Sequence, residues 1–240
     1  MIIGINGKIG SGKDTIGSII QYLTDENVKE MSFEDWYASN VYSVYQASGK
    51  WEIKKFAGKL KQTASLLTGI PVEKFEDQEF KKTELGEDWN YCPIIGYGHR
   101  NVPVYGEPEQ PMFVREFLQR LGTEAMRDGL HTNVWVNALF ADYKYEIHRS
   151  EVPTRAAGFI DQNVYPNWII TDMRFENELE AVKYREGITI RVVRPGTSIG
   201  THPSETALDD AEFDYEIIND GYIADLIDKV IDILTIEKLI

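Results

Sequence analysis

A glycine-rich stretch near the start of the chain constrains the fold more than any other feature. Residues 7–15 read GKIGSGKDT and match the pattern G-x-x-x-x-G-K. The stretch follows the apolar run Met1–Ile5 and precedes an amphipathic helical pattern that opens after Gly12 and runs to about Leu23. Its glycines let the backbone curl so that successive N–H groups point at phosphate oxygens, and the helix N-terminus adds its dipole. The stretch therefore predicts a phosphate-binding loop between a strand and a helix.

This predicted phosphate loop places a cation beside a carboxylate. Lys13 is expected to reach the β- and γ-phosphates of a nucleotide. The next residue is usually a Ser or Thr that ligates magnesium, but here it is Asp14. The sequence therefore identifies no metal ligand, and Asp14 is expected either to act through water or to cap the helix. The candidate ATP-binding residues are Gly10, Ser11, Gly12, Lys13, Asp14 and Thr15.

The rest of the chain alternates short apolar runs with helical patterns, which is typical of a parallel α/β sheet. Further strands are predicted at Trp51–Phe56, Trp168–Thr171, Ile188–Val193 and Tyr215–Ile218. Further helices are predicted from Ala57 to just before Gly69 and at Phe113–Asp128, about Asn133–His148, Phe175–Glu186 and Ile223–Ile240. The pattern indicates one domain over residues 1–240, with insertions near 25–50 and 86–111.

Composition excludes several classes of partner. The 25 Lys and Arg residues against 39 Asp and Glu residues give a net charge of −14, which repels duplex DNA and anionic membranes. An anionic ligand therefore needs a local cluster of cations and N–H groups. The single cysteine, Cys92, forms no internal disulfide, which fits a reducing cytosol. No apolar run approaches the roughly 18 residues of a membrane span, and Lys8 ends the first run too early for a signal peptide.

Sequence features outside the phosphate loop exclude several classes of phosphate-loop protein. No N-K-x-D sequence for guanine recognition occurs in the chain. Motor and helicase-type ATPases generally need a longer chain and a basic track. A small kinase remains, in which phosphoryl transfer depends on positioning and on neutralising charge. Such an enzyme needs cations beyond Lys13, aimed at the transferred group and at its acceptor.

Several residues are candidates for the acceptor side. In the helix predicted at Phe113–Asp128, a polar stripe contains Arg115 and the mid-helix Gly122. Such a glycine costs about 1 kcal/mol relative to alanine, so something is expected to pack closely against it, unless the face is simply solvated. Asp172 follows an apolar run, at the strand end where open α/β sheets bind ligands. Arg174 and Glu178 follow, four residues apart as on one face of a helix. The alternative to a functional role is that they form a surface ion pair, which contributes little to stability.

At these residues the chain resembles the bacteriophage deoxynucleoside monophosphate kinases. The matching blocks cover well over half of the chain and read GKIGSGKDT, FAGKLKQTA, VREFLQRLGTE, VWVNALFADY, IITDMRFENELEA, RVVRPGTSIGTHPSE and EIINDG. The resemblance implies an adenylate-kinase-like P-loop kinase fold with a five-stranded parallel sheet flanked by helices. It also implies transfer of the γ-phosphoryl group of ATP, with Mg²⁺, to a deoxynucleoside 5′-monophosphate (dNMP), and a homodimer in the host cytoplasm.

The resemblance also assigns roles to individual positions. Lys13 and Arg115 become the catalytic residues, and Arg115 with Lys61 would hold the acceptor phosphate in line. The dNMP site would be lined by Lys61, Lys82 (or Lys81), Arg115, Gly122, Thr123, Trp135, Asp172, Arg174 and Glu178. Arg194 and the HPSE segment with Glu205 match the family without a defined role. A lid is expected on other grounds than the resemblance, because a kinase must exclude water from the transferred group. Residues 86–111, which are rich in Gly, Pro and Tyr, or 152–165 with Arg155, are expected to form it.

Two other functions stay open at this point. One is a P-loop kinase of another small metabolite, such as dephospho-coenzyme A. The other is a regulatory protein that binds ATP without turning it over. The acceptor-side cations argue against a mere binder, which has no reason to keep Lys61, Arg115 and Arg174 in addition to Lys13.

Overall fold

The computed structural model describes residues 1–26, 31–42, 51–107, 109–148, 162–197 and 206–240, with the backbone alone at 40–42, 146–148 and 162–164. The chain divides into two compact units, residues 1–56 with 136–240 and residues 57–135. Each unit is described by itself, and the single domain expected from the sequence stays a prediction. In the described part, no helix is both long and apolar enough to cross a membrane.

The elements follow one another in the order expected of an α/β chain. The strands are β1 (Ile2–Gly7), β2 (Trp51–Lys54), β3 (Ile94–Tyr97), β4 (Pro103–Tyr105), β5 (Glu146–His148), β6 (Gln162–Val164), β7 (Asn167–Ile170), β8 (Ile188–Val193) and β9 (Tyr215–Ile218). The α-helices are α1 (Lys13–Leu23), α2 (Phe33–Tyr42), α3 (Phe56–Thr68), α4 (Val114–Gln119), α5 (Val134–Phe140), α6 (Glu176–Lys183) and α7 (Ile223–Ile236). Short 3₁₀ helices lie at Val72–Glu76, Phe80–Lys82, Glu87–Trp89 and His99–Asn101, and a π-helix at Arg120–Asp128.

The first unit is built around a five-stranded parallel sheet with the strand order β2-β7-β1-β8-β9. Successive residues of β1 point to opposite faces of this sheet. Ile3 and Ile5 pack into a cluster with α1, α2 and α7, while Ile2 packs into a second cluster with α5 and α6. Both faces are therefore covered by helices, and this confirms the predicted P-loop kinase type of α/β fold.

Two predictions for the first unit were wrong or incomplete. The helix expected over Asn133–His148 ends at Phe140, and Glu146–His148 is instead a strand that pairs antiparallel with β6. The chain turns after α5 so that the ring of Tyr143 meets Trp168 at 4.8 Å and stacks on Tyr165 at 5.0 Å. The region 25–50, predicted as an insertion, contains α2, whose Phe33 and Trp36 are buried in the core.

The second unit has a smaller core of its own, formed by Ala64, Phe75, Met112, Val114 and Phe117. The region 86–111, predicted as an insertion, contains an antiparallel hairpin of β3 and β4. The helix predicted over Phe113–Asp128 is an α-helix only as far as Gln119 and continues as the π-helix. The wider turn changes which residues face inward, and the apolar residue Ala125 is exposed.

Candidate active site

The predicted phosphate loop connects β1 to α1, as the sequence indicates. Gly10 and Gly12 have φ angles of 78° and 101°, in the left-handed region that favours glycine. A Cβ atom at Gly12 would lie 2.6 Å from Nδ2 of Asn219, so a side chain is excluded there by contact as well. Asn219 follows β9, and its amide donates a hydrogen bond to the backbone oxygen of Ser11. The loop is therefore fixed both by its own backbone and by the end of β9.

The ammonium group of Lys13 lies inside this loop. Its Nζ donates hydrogen bonds to the backbone oxygens of Gly7 at 2.6 Å and Lys8 at 2.7 Å, and the residue is 9% exposed. The side chain of Ser11 is fully buried, and its Oγ has no hydrogen-bond partner among the described residues. Thr15 lies in the first turn of α1. A buried cation, an unpaired hydroxyl and a helix N-terminus at one place suit a phosphate group.

Asp14 joins the phosphate loop to the neighbouring strand ends. Its Oδ1 accepts hydrogen bonds from Oγ1 of Thr171 at 2.7 Å and from Nζ of Lys55 at 2.9 Å. Burial acts to raise the pKa of Asp14, but Thr171, Lys55 and Lys13 outweigh it and hold the pKa below its usual value. The carboxylate is therefore ionised at neutral pH. Asp14 contacts these side chains and does not cap the N-terminus of α1. Capping was one of the two roles expected for it.

Thr171 and Lys55 were not identified as site residues from the sequence. Thr171 directly follows β7 and is 1% exposed, while Lys55 lies between β2 and α3. The available signal was position: both follow an apolar run, at the strand ends that point towards the phosphate loop in a parallel sheet. The contact of both residues with Asp14 could not be predicted without the strand order, in which β2 is next to β7 and β7 is next to β1.

The acidic residues after β7 organise backbone in the structure. Oδ1 of Asp172 accepts a hydrogen bond from the N–H of Phe56 at 2.8 Å, at the start of α3. Oε2 of Glu178 accepts hydrogen bonds from the N–H groups of Arg174 at 2.7 Å and Phe175 at 3.1 Å, and the residue is 4% exposed. A glutamate at this position in the first turn of a helix is a usual cap. Both carboxylates thus fix the loop that carries Arg174.

A cavity of about 150 Å³ opens beside the phosphate loop, over the carboxyl ends of β1 and β8. Its lining includes the cationic residues Lys8, Arg174, Arg191 and Arg194. The ammonium of Lys8 pairs with Asp209, and Nη1 of Arg194 donates to the backbone oxygen of Gly10 at 3.3 Å. In a chain of net charge −14, this is the kind of local cationic cluster that an anionic ligand requires.

In the second unit, the candidate cations differ in their surroundings. Arg115, on α4, is exposed and has no hydrogen bond or ion pair with any of the described residues. Lys61, on α3, is only 9% exposed and pairs with Glu76 at 2.5 Å. Lys82 is exposed and pairs with Glu79 at 2.7 Å. Of these three candidate cations, Arg115 is the one that is exposed and has no protein partner among the described residues.

Gly122 and Trp135 contact each other in the second unit. The indole N–H of Trp135 donates to the backbone oxygen of Gly122 at 2.9 Å, and Trp135 is buried. A Cβ atom at Gly122 would lie 2.9 Å from Cδ2 of Leu60, on α3. The close packing expected at this glycine is therefore contact with Leu60. Thr123 lies beside Gly122 in the π-helix and is exposed.

The structure thus brings the predicted residues together in two sets. The first unit holds the six residues of the phosphate loop with Asp172, Arg174 and Glu178; the second holds Lys61, Lys82, Arg115, Gly122, Thr123 and Trp135. Arg155 and Glu205 lie outside the described residues, as does most of 152–165. Within the described ranges, no three His, Cys, Asp or Glu side chains are placed to hold a metal by themselves.

Comparison with known proteins gives a consistent result. Residues 77–230, more than half of the chain, match the family described as deoxynucleotide monophosphate kinase. The chain is 25% identical to the deoxynucleoside-5′-monophosphate kinase of Escherichia phage T5, over 91% of this chain and 89% of the T5 protein. It is 28% identical to the deoxynucleotide monophosphate kinase of Enterobacteria phage T4, over 53% of this chain and 47% of the T4 protein.

A third match spans nearly the whole chain. A protein of Acanthamoeba polyphaga mimivirus, whose name refers to the same kinase activity, is 25% identical over 96% of this chain and 94% of its own length. The family match at 77–230 contains Arg115, Asp172 and Arg174, but it begins after the phosphate loop and Lys61. The geometry of the phosphate loop is therefore evidence for nucleotide binding that does not depend on the family match.

Proposed function

The chain belongs to the deoxynucleotide monophosphate kinase family, and on that premise we propose that it transfers the γ-phosphoryl group of ATP to a dNMP, giving the diphosphate and ADP. The observation that carries the ATP half of this proposal is the phosphate loop between β1 and α1, with the ammonium of Lys13 held inside it. The acceptor half rests on the family match and on the names of the relatives.

On the ATP side, the loop supplies positive charge at fixed positions. Lys13 leaves the backbone oxygens of Gly7 and Lys8 for the β- and γ-phosphates, whose oxygens are stronger acceptors. Gly10, Ser11 and Gly12 surround the phosphates with backbone N–H groups, and Thr15 lies in the first turn behind them. Arg194 and Lys8, in the wall of the adjacent cavity, add charge on the side of β8.

On the acceptor side, Arg115 binds the phosphate of the dNMP by two-point contacts. An acceptor phosphate is already an oxyanion at neutral pH, so the reaction needs alignment and charge neutralisation more than a general base. From the resemblance, Lys61, Lys82 and Thr123 of the second unit and Arg174 of the first unit are also proposed as substrate-binding residues. Asp172 and Glu178 hold the loop that carries Arg174, while Gly122 and Trp135 shape the helix that continues from Arg115.

The described residues fit a magnesium ion that is carried largely by the nucleotide. Magnesium in kinase sites is commonly held by one or two carboxylates together with substrate phosphates, rather than by a cage of protein ligands. Asp14 provides one ionised, exposed carboxylate directly after Lys13. When bound, the ion would neutralise charge on the β- and γ-phosphates.

The proposal extends to the setting in which the protein works. Relatives encoded by phages T4 and T5 support the host cytoplasm as the compartment. A homodimer is proposed from the resemblance alone, and light scattering of the purified protein would measure its mass. A nucleic-acid polymer is not proposed as a partner, because the chain is strongly acidic.

The test is a coupled assay of ADP release with ATP and a panel of acceptors. The panel contains the four common dNMPs, the corresponding ribonucleotides and dephospho-coenzyme A. Turnover with one or more dNMPs, and none with dephospho-coenzyme A, is the expected result. ATP binding with no turnover on any acceptor would favour a regulatory ATP-binding protein, which the family match does not favour.

A further inference from the structure

The cation that contacts Asp14 is a residue to which neither the family match nor the resemblance assigns a role. Nζ of Lys55 lies 2.9 Å from Oδ1 of Asp14, and the same oxygen accepts the hydroxyl of Thr171 at 2.7 Å. Oδ2 of Asp14 has no partner among the described residues. The Asp14 side chain is 70% exposed and that of Lys55 34%, so the pair is open to solvent on one side.

Asp14 occupies the position at which phosphate loops usually carry the Ser or Thr that ligates magnesium. A carboxylate at that position places a full negative charge close to where the nucleotide phosphates, which are also negatively charged, will bind. Left alone, Asp14 would repel the incoming phosphates. The ammonium of Lys55 removes this repulsion in the absence of metal, since it neutralises the carboxylate directly.

We propose that Lys55 is a built-in counter-ion that competes with the divalent metal for Asp14. Lys55 holds the carboxylate while the protein is metal-free and leaves it when the metal–nucleotide complex binds, whereas Thr171 keeps its hydrogen bond and fixes the carboxylate in place. Lys55 then acts as a positioning residue that sets metal affinity. This inference rests on the proposed function in one respect: it assumes that the metal binds together with the phosphates of a nucleotide.

The local anchoring supports an exchange confined to one side chain. The hydroxyl of Thr171 is held on a residue that is 1% exposed, directly after β7, an inner strand of the sheet. Next to these two residues, the N–H of Phe56 is bound to Asp172 at 2.8 Å, which fixes the backbone that follows Lys55. The Lys55 side chain is thus a flexible arm on a fixed backbone, and it can leave Asp14 without moving β2 or β7.

The test measures binding of Mn²⁺ to the protein in the presence of ADP, by electron paramagnetic resonance of free Mn²⁺. Lys55→Met removes the competing cation and is expected to lower the Kd for Mn²⁺ by about threefold, the scale of a partly exposed ion pair. Lys55→Arg keeps the charge and is expected to bind Mn²⁺ like the natural protein. Asp14→Asn is expected to weaken binding by about tenfold, because it removes the ionised ligand.

Lys54→Met is the matched control. Lys54 is the adjacent lysine, but it pairs with Glu52 at 2.6 Å and lies over the ring of Trp168, so its loss leaves Asp14 untouched. Mn²⁺ affinity of Lys54→Met should be unchanged. If Lys55→Met unfolds, Lys55→Gln makes the same test with a side chain that retains a polar end, and circular dichroism of each variant verifies the fold.

Two results would overturn the proposal. Unchanged or weaker Mn²⁺ binding in Lys55→Met would mean that Lys55 does not compete with the metal. Unchanged binding in Asp14→Asn would mean that Asp14 is not its ligand. Neither measurement involves a dNMP or turnover, so failure of the dNMP kinase assay would count against the proposed function and leave the competition result to be judged separately.

Discussion

The side-chain amide of Asn219 donates a hydrogen bond to the backbone oxygen of Ser11 across 2.8 Å. The two residues are 208 positions apart in the chain, and the contact joins the end of β9 to the phosphate loop. The same Nδ2 would lie only 2.6 Å from a Cβ atom at Gly12. Asn219 therefore determines how closely the loop lies against the sheet, although no phosphate contact is assigned to it.

Asn219→Ala should weaken ATP binding while leaving dNMP binding intact. One neutral hydrogen bond contributes about 1 kcal/mol, so we expect the KM for ATP to rise about fivefold, with kcat changed less. Asp220→Asn is the control, because Asp220 pairs with Lys229 at 3.0 Å and does not contact the loop. Equal KM values for ATP in Asn219→Ala and Asp220→Asn would show that the loop keeps its shape without Asn219.

Lys13→Ala should abolish the proposed kinase activity and leave the fold in place. The substitution removes the cation expected on the β- and γ-phosphates, and we expect kcat to fall by about 100-fold or more. The measurements are coupled ADP release and thermal melting. Lys183→Ala removes a surface lysine that bonds to the backbone oxygen of Glu212, and it should behave like the natural protein. Turnover near the natural value in Lys13→Ala would contradict the role of the loop.

Arg115→Lys should be damaging although the charge is kept. An ammonium does not reproduce the planar two-point contact of a guanidinium with phosphate. We expect kcat/KM for the dNMP to fall roughly tenfold, with ATP binding little changed.

The control for Arg115 lies five residues further along the chain. Arg120 pairs with Glu116 and Glu124 and lies over the ring of Tyr91, so Arg120→Lys should retain dNMP turnover. If both lysine variants turn over the dNMP equally well, Arg115 is an ordinary solvated residue and does not bind the acceptor.

Asp172→Ala should lower the free energy of unfolding by about 1 kcal/mol, since the N–H of Phe56 loses its acceptor at the start of α3. Asp172→Asn keeps an acceptor oxygen and should cost less. Urea unfolding of the two variants measures the difference. If alanine and asparagine destabilise equally, the hydrogen bond to Phe56 does not contribute measurably to the stability of the chain.

The stability of the protein should fall at alkaline pH partly because of Tyr215. The hydrogen bond that its hydroxyl donates to Glu237, together with burial and nearby negative charge, raises the pKa of Tyr215 to about 12. A tyrosine in the unfolded chain ionises near pH 10, so the folded state favours the neutral phenol. Its contribution is complete below about pH 10 and is lost as the pH rises through about 12.

Tyr215→Phe has no such group to ionise. The free energy of unfolding of the natural protein should therefore decline more steeply than that of Tyr215→Phe between pH 9 and about pH 11.5. Urea unfolding at several pH values measures both. Parallel curves would show that the hydrogen bond to Glu237 does not survive in solution.

The sequence by itself determined the phosphate loop and the five strands of the parallel sheet. The loop is readable because its glycines, its lysine and the flanking strand and helix patterns all fall within a few residues of one another. The strands are readable because a strand that is buried on both faces has to be mostly apolar, as β7 and β8 are. Both signals are local, and backbone conformation is decided locally to a large extent.

Only the tertiary structure decided the partners of the chemically important side chains. Asp14 meets Thr171 across 157 positions of sequence, and nothing adjacent to either residue indicates that contact. Glu146–His148 became a strand because β6 was there to pair with it, against a helical local pattern. Lys61 is buried beside Glu76 for the same kind of reason. Such contacts depend on which elements become neighbours, and that choice is made by the packing of the whole chain.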